Sequence, residues 1–198
     1  PKVSTLQKFI KGISSGKIRN FSLNNYKFEE EIDKNGAIAD VLSPNQSVLI
    51  QIVKEPISTK GPRVTSELSI AGRFLVLVPF SNRISISQKI EDQKEKDRLK
   101  RLVKSITPKG VGVIVRTVAK GKKVAELDRD LQNLYNRWIA MCKKIRNANI
   151  PSKVMDEMNI SSKILRDLFD ESFTSILVND EALHIKIKDY VQKIAPKK

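Results

Sequence analysis

Residues 113–117, Val113-Ile114-Val115-Arg116-Thr117, have the pattern of a buried strand that ends in a cation and a hydroxyl. β-Branched residues favour strands, and an uninterrupted apolar run is typical of a strand that lies inside a sheet. An Arg guanidinium presents a planar fork of donors that matches phosphate oxygens, and Thr can add a hydroxyl and a backbone N–H. The stretch therefore indicates a site for one phosphate. For this motif alone, an Arg that extends from a strand end into solvent is the alternative.

The positive charge of the chain is concentrated in its middle third. The 198 residues carry a net charge of +15, of which residues 67–150 supply +11 from 19 basic and 8 acidic side chains. Residues 1–66 supply +4, and residues 151–198 are balanced. Such a field attracts polyanions, and Lys and Arg release counterions from phosphates. The distribution predicts nucleic acid as the partner, with an acidic membrane surface second and a merely solubilising surface as the alternative.

Composition excludes several classes of protein. The single cysteine, Cys142, rules out an internal disulfide framework and a multi-cysteine metal site within one chain. No apolar run approaches the roughly 18 residues of a membrane span. We expect no signal peptide, a cytoplasmic location and, because the sequence begins at Pro1, a fragment of a longer chain.

The hydrophobic pattern alternates between strand and helix periods, as in an α+β fold. Strands are predicted at residues 48–53, 63–70, 73–78, 85–90 and 173–178, and helices at 91–106 and 122–147, with short helices before and after the last strand. Ser161 or Ser162 is expected to cap the first of these short helices, and Asn179 or Asp180 to open the second. A further short helical stripe is expected near the N-terminus, formed by Leu6, Phe9, Ile10 and Ile13.

The long helix at 122–147 carries a continuous apolar stripe that predicts packing across a sheet. Its members are Val124, Leu127, Leu131, Leu134, Trp138, Cys142 and Ile145. A coiled-coil partner is the alternative, because a stripe of this kind can also dock another helix.

The residues form no catalytic constellation. His184, the single histidine, has no nucleophile paired with it, and we interpret it as a surface or partly buried structural residue. Asp128 and Asp130 fall on the polar face of the long helix, where pairing with basic residues one turn away explains them. We therefore predict neither catalytic nor metal-binding residues in this chain.

Four stretches of this sequence closely resemble the bacterial ribonuclease E/G family. They are residues 48–66 (VLIQIVKEPISTKGPRVTS), 68–79 (LSIAGRFLVLVP), 86–91 (ISQKIE) and 112–117 (GVIVRT). The resemblance covers about residues 40–195. It implies that residues 1–66 are the latter part of an OB-type RNA-binding domain with a long insertion, that 67–155 are a sensor of an RNA 5′ monophosphate, and that 156–198 are part of an RNase H-like subdomain.

The resemblance also assigns residues to this sensor. Arg116 and Thr117 match the pair that holds the terminal phosphate, and Gly72 and Val76 match positions that bound the pocket and contact the first nucleotide. Lys60 matches a lysine of the OB-type domain that contacts RNA.

One departure affects the same sensor. Where many members of the family have a second Arg, this chain has Gln88, followed by Lys89. Lys89 can supply a charge, but an ammonium lacks the bidentate fork of a guanidinium. This departure puts the strength of phosphate discrimination in doubt.

The resemblance implies that the catalytic machinery lies outside this chain. The family hydrolyses RNA with a magnesium-binding aspartate pair that follows the RNase H-like segment, and the first strands of the OB-type domain precede Pro1. We expect the chain alone to hold no cofactor and to leave RNA uncut, so whether it counts as an enzyme stays open. Its expected partners are single-stranded RNA with a 5′ monophosphate, the missing segments of the enzyme and, as a homo-oligomer, copies of itself.

Three hypotheses for function follow. The first is an RNA-binding, 5′-monophosphate-sensing part of an endoribonuclease that acts in RNA processing and decay. The alternative, favoured by Gln88, is a non-catalytic module that binds structured RNA or ribosomes without sensing the 5′ end. A protein-interaction scaffold that uses the Leu131 and Trp138 face of the long helix is the third.

Overall fold

The computed structural model describes residues 9–13, 15, 37, 39, 42–156, 160–169 and 172–194. The chain divides into two compact units, Pro1–Val154 and Met155–Lys198. The strands are β1 (Gln51–Lys54), β2 (Arg63–Thr65), β3 (Ile70–Ala71), β4 (Leu75–Pro79), β5 (Ile84–Ile86) and β6 (Val111–Val115). The helices are α1 (Gln93–Ile106), α2 (Val124–Arg146), α3 (Ile160–Leu168) and α4 (Glu181–Ile194), and residues 9–13 are also helical. The α+β prediction is confirmed.

A four-stranded sheet in the order β3-β4-β6-β5 forms the centre of the first unit. β4 pairs antiparallel with β6 from Leu75 opposite Val115 to Pro79 opposite Val111, and β5 lies parallel to β6. The predicted buried strand is confirmed, and it ends immediately before Arg116. Alternation along β4 and β6 places one set of side chains on the covered face, where they are buried (Leu75, Leu77, Val111, Val113 and Val115).

Helices α1 and α2 cover this sheet and contact each other. Seven residues of α2 are buried, namely Leu127, Leu131, Leu134, Trp138, Met141, Cys142 and Ile145. The predicted stripe is thus correct except at Val124, which is 40% exposed because it is the first residue of the helix. Burial raises the pKa of the Cys142 thiol to about 12, in agreement with its interpretation as a core residue.

Three aromatic rings join the helical residues 9–13 to the sheet and to α2. Phe9 stacks on Trp138 with ring centroids 5.6 Å apart, and Phe80 meets both rings edge-on at 5.1 and 5.7 Å. Phe9, Ile13 and Trp138 have no exposed surface. The stripe predicted near the N-terminus therefore belongs to this core, although Leu6 lies outside the described residues.

Strands β1 and β2 form a separate, open sheet of two antiparallel strands. The predicted strand at residues 63–70 is interrupted, because β2 ends at Thr65 and β3 begins at Ile70. Apolar side chains on the two-stranded sheet remain exposed, including 61% of Ile52 and 46% of Val64. Within the described residues there is no closed barrel.

The second unit has a small core formed by Leu165, Phe169 and Ile187, against which Ile176 and Val178 pack. The strand predicted at residues 173–178 is wrong, since this segment has no ladder partner among the described residues. Ser161 and Ser162 lie inside α3 rather than at its cap. The cap predicted for the last helix is confirmed, because the Leu183 N–H donates to Asp180 Oδ1 at 2.6 Å.

The structure also bears on His184 and on membrane spans. His184 is exposed on α4, as predicted for a surface residue. Of the helices in the described ranges, none has the length and apolar content needed to cross a membrane.

Candidate nucleic-acid interface

Arg116 is the first residue after β6, and backbone carbonyls of the turn between β3 and β4 fix its orientation. Its Nη1 donates to the Gly72 carbonyl at 2.9 Å and to the Arg73 carbonyl at 3.2 Å. Its backbone N–H donates to the Phe74 carbonyl at 2.8 Å. The guanidinium is half-buried and held at the C-terminal end of β6.

The same turn is bound from its other side by Asp130 of α2. The Asp130 carboxylate accepts the backbone N–H groups of Arg73, Phe74 and Leu75 at 3.1, 2.8 and 2.9 Å. Burial raises the pKa of Asp130, while these three N–H groups and the charge of Arg116 oppose that rise. The sequence interpretation of Asp130 as a residue of the polar helix face is therefore wrong.

Gly72 allows this close approach. A Cβ at position 72 would lie 2.7 Å from Asp130 Oδ2 and 2.8 Å from Oδ1, closer than a carbon and an oxygen can pack. Gly72 thus makes room for a carboxylate of the protein itself, whereas the sequence suggested close approach of a ligand.

The hydroxyl of Thr117, the residue after Arg116, lies next to the hydroxyl of Ser87. Thr117 Oγ1 and Ser87 Oγ are 3.1 Å apart, and the Ser87 N–H donates to the Val115 carbonyl at 2.9 Å, which continues the pairing of β5 with β6. Ser87 was not selected from the sequence, although it lies in one of the quoted stretches. Its position one residue after β5, a short strand parallel to β6, is the feature that could have identified it as a neighbour of Thr117.

The other predicted site residues are Val76, Lys89 and Lys60. Val76 is half-buried on β4, opposite Ile114 of β6 and Ala71 of β3, on the sheet face that carries the exposed side of Ile114. Lys89 is exposed two residues after Ser87. Lys60 is exposed in a turn after β1, where its backbone pairs with Ile57. The described contacts join Gly72 to Arg116, which Thr117 follows in the chain, but none of them connects Lys60 or Lys89 to these residues.

Several basic residues lie in the turn and the loop next to the site. The guanidinium of Arg73 and the ammonium of Lys122 lie 5.2 and 5.6 Å from the centre of the Phe74 ring. Both distances fall within the range of cation–π contacts. The loop after Thr117 adds Lys120 and Lys123. The turn before β4 and the loop after Thr117 therefore carry four basic residues.

An ion pair on α1 holds the loop that follows Thr117. The carboxylate of Glu95 accepts two bonds from the Arg98 guanidinium, at 2.6 and 2.7 Å, and one from the Gly121 N–H at 2.8 Å. Arg98 also donates to the Lys122 carbonyl at 3.1 Å. Gly121 has φ +73°, a backbone conformation that residues other than glycine rarely adopt.

Glu95→Gln should reduce stability in a pH-dependent way. The hydrogen bonds from Arg98 first, and the Gly121 N–H second, lower the pKa of Glu95 from 4.5 to about 2. A lowered pKa contributes stability above pH 4.5, and this contribution is lost as the pH falls from 4.5 towards 2. We expect the substitution to lower the free energy of unfolding by about 1–2 kcal/mol at pH 7, after allowance for solvent screening, and to have little effect near pH 2.

Urea unfolding at several pH values measures this difference. Glu91→Gln is the matched control, because Glu91 is exposed and precedes α1. An equal loss of stability at every pH would contradict the assigned role of the Glu95 charge.

No cluster of three or more His, Cys, Asp or Glu side chains suited to a metal ion occurs in the parts of the chain that the structure describes. The Leu131 and Trp138 face proposed for scaffolding is 1% and 0% exposed, so it packs inside the unit and offers no docking surface.

Comparisons with known proteins agree with the resemblance. Ribonuclease E of a Nostoc species is 33% identical over 156 residues, which are 79% of this chain and 23% of that protein. A ribonuclease E/G-like protein of Pyropia yezoensis is 35% identical over 77% of this chain and 30% of its own length. Ribonuclease G of Haemophilus influenzae is 29% identical over 85% of this chain and 34% of its own length.

The chain therefore spans about a quarter to a third of the curated relatives that it matches. Among solved structures, the RNase P protein of Staphylococcus aureus aligns at 22% identity over 35% of this chain with a TM-score of 0.30, a likeness too low to indicate a shared fold. The sequence model of the Ribonuclease E/G family matches residues 69–198, which contain the four-stranded sheet, the Arg116 site and the second unit. Because that match covers 130 of the 198 residues, the chain belongs to the Ribonuclease E/G family.

Proposed function

We propose that this chain is the RNA-binding, 5′-monophosphate-sensing region of a ribonuclease E/G-type endoribonuclease that acts in RNA processing and decay. The observation that carries the proposal is the Arg116 guanidinium, which two backbone carbonyls orient at the end of β6, one residue before Thr117. The relatives are named as ribonucleases, and RNA offers terminal phosphates of the kind that such a fork binds.

In this proposal the terminal phosphate is bound by the guanidinium of Arg116 and the hydroxyls of Thr117 and Ser87. The two hydroxyls are within hydrogen-bonding distance of each other, so one can donate to its neighbour while the other donates to the ligand. The half-exposed apolar surface of Val76 and Ile114 suits a base, because every base has an apolar face that stacks on such a surface.

The basic groups of the middle third would capture the rest of the RNA strand. Lys120, Lys122 and Lys123 lie in the loop that follows Thr117. A second group of lysines, Lys143, Lys144 and Lys153, lines an open cleft of about 680 Å³ near the C-terminal end of α2. Contacts of this kind are independent of sequence, and salt weakens them strongly.

The resemblance to the Ribonuclease E/G family assigns a role to each part of the chain. Residues 1–66 would be the latter part of an OB-type domain that contacts RNA through Lys60, 67–155 the 5′ sensor, and 156–198 part of an RNase H-like subdomain. Hydrolysis, and the magnesium it requires, would belong to a longer protein of which this chain supplies the recognition of RNA.

The test is binding of one short single-stranded RNA that carries a 5′ monophosphate, a 5′ triphosphate or a 5′ hydroxyl, measured by fluorescence anisotropy with a label at the 3′ end. We expect the monophosphate to bind about tenfold or more tightly than the hydroxyl, since one charge-assisted bidentate contact is worth about 1.5–3 kcal/mol. All three affinities should fall between about 50 mM and about 200 mM salt. Equal affinity for all three RNAs would contradict end sensing.

Gln88 favours a second candidate function. The residue is exposed, next to Ser87, at the position where a second guanidinium is expected from the resemblance. Without that charge the chain could bind structured RNA or ribosomes through its basic surface alone. Steeply salt-dependent binding that ignores the 5′ end is the result that would select this candidate.

A further inference from the structure

Three consecutive peptide groups in the turn between β3 and β4 are shared between Asp130 and Arg116. We infer that Asp130 is a positioning residue for the terminal-phosphate site. From α2, its carboxylate fixes these peptide groups, and their carbonyls in turn fix the guanidinium and the backbone N–H of Arg116. The inference rests on the proposed function for the identity of the ligand, but the geometry of the turn stands without it.

Each of the three peptide groups binds Asp130 with its N–H and Arg116 with its C=O. The group between residues 72 and 73 donates from Arg73 N to Asp130 Oδ1 and accepts from Arg116 Nη1 at Gly72 O. The group between residues 73 and 74 donates from Phe74 N to Oδ2 and accepts from Nη1 at Arg73 O. The third donates from Leu75 N to Oδ2 and accepts the Arg116 backbone N–H at Phe74 O.

The planarity of the peptide bond turns this arrangement into a mechanical connection. In a planar trans peptide the N–H and the C=O point in opposite directions. A carboxylate on one side therefore sets the direction of three carbonyls on the other side. A negative charge at the N–H end also polarises each peptide, which strengthens the bond that its carbonyl accepts from a cation.

A simple structural cap does not require a buried charge. A carboxylate removed from water costs free energy, as the burial-raised pKa of Asp130 reflects, and the N–H groups and the Arg116 charge offset that cost. The site also requires Gly72, since any side chain there would collide with the carboxylate. Asp130, Gly72 and Arg116 thus depend on one another, and this dependence places a fixed guanidinium at the end of β6.

A guanidinium that is already oriented binds phosphate without first losing its own conformational freedom. Loss of Asp130 should therefore weaken binding of the 5′ phosphate specifically, while contacts along the RNA backbone persist. Asp130→Asn tests this expectation. The substitution replaces one carboxylate oxygen by an NH2 group, which cannot accept a hydrogen bond from a backbone N–H. Asp128→Asn is the matched control, since it removes the same charge from the same helix two residues away.

Two readouts on the 198-residue chain are needed. The first is the ratio of the affinity for the 5′-monophosphate RNA to the affinity for the 5′-hydroxyl RNA. The second is the NMR signal of the Arg116 side-chain N–H groups in the free protein, which reports their immobilisation without any ligand. We expect Asp130→Asn to lower the affinity ratio about tenfold, to change binding of the hydroxyl RNA less than about twofold, and to broaden the Arg116 signal. Asp128→Asn should leave all three unchanged.

The two readouts separate this inference from the proposed function. If the wild type discriminates between the RNA ends and Asp130→Asn discriminates equally, the positioning role is overturned and end sensing stands. If the wild type does not discriminate, end sensing fails, and the Arg116 signal alone decides: loss of the signal in Asp130→Asn supports the positioning role, and an unchanged signal overturns it.

A second variant serves if Asp130→Asn does not fold. Gly72→Ala keeps every charge, but its Cβ would displace the carboxylate from the turn. It should reproduce the loss of the Arg116 signal and of the affinity ratio. An immobilised Arg116 in folded Gly72→Ala would overturn the inference.

Discussion

Arg116→Ala should abolish the preference for a 5′ monophosphate and leave most of the affinity for RNA intact. The substitution removes the guanidinium that Gly72 and Arg73 orient, and with it a charge-assisted contact worth about 1.5–3 kcal/mol. We expect binding of the monophosphate RNA to weaken about 10- to 100-fold and binding of the hydroxyl RNA to change less than about threefold. Anisotropy titrations of the two RNAs at one salt concentration measure both numbers.

Lys144→Ala is the matched control for this prediction. Lys144 is an exposed cation near the C-terminal end of α2, about 21 Å along the helix from Asp130 at 1.5 Å per residue. Its removal should weaken both RNAs to the same small extent and reduce their salt dependence. If Arg116→Ala behaves in the same way as Lys144→Ala, Arg116 is a general backbone contact and not a sensor of the RNA end.

Arg116→Lys adds a further comparison. An ammonium keeps the positive charge but cannot form the fork that two carbonyls and a phosphate share. We expect Arg116→Lys to resemble the alanine variant in end preference and the wild type in total affinity. That separation would show that orientation, and not charge alone, sets the preference.

Trp138→Ala should be the most destabilising single substitution among those considered. The side chain is fully buried between α2, Phe80 and Phe9, and its two aromatic contacts add to the free energy of burial. Replacement of a buried Trp by Ala costs about 3–5 kcal/mol, because the cavity collapses only in part. Urea unfolding followed by circular dichroism measures the loss.

Gln132→Ala is the control on the same helix. Gln132 is exposed, so its substitution should change the free energy of unfolding by less than about 0.5 kcal/mol. A loss below about 1 kcal/mol for Trp138→Ala would contradict the three-ring core. Phe9→Leu should lie between the two, which would locate part of the stability in the contact with residues 9–13.

The sequence was sufficient wherever a pattern is local. The strand before Arg116 follows from its β-branched run. The spacing of Leu127, Leu131 and Leu134 predicts the buried face of α2, and the predicted helix ends lie within two residues of the observed ones. The position of Arg116 at the end of β6 could be predicted because it directly follows that run.

The features that the sequence did not predict depend on contacts between residues that are distant in the chain. Asp130 flanks the buried stripe of α2, so helical periodicity could not separate it from other acidic residues of the helix such as Asp128. Its three partners lie 55–57 residues earlier in the chain. Residues 173–178 have strand composition but no neighbouring strand within the described ranges, and composition alone cannot supply a ladder. Phe9 reaches Trp138 across 129 residues, a contact that no local pattern contains.

The most direct test of the central claim compares two NMR titrations of the chain, one with a 5′-monophosphorylated RNA and one with the same RNA bearing a 5′ hydroxyl. The difference between the two sets of chemical-shift changes isolates the effect of the terminal phosphate. We predict that this difference is concentrated at Arg116, Thr117, Ser87 and the backbone of residues 72–75. A difference that is absent from these residues, or that appears instead at Lys143 and Lys144, would contradict the assignment of the 5′-phosphate site.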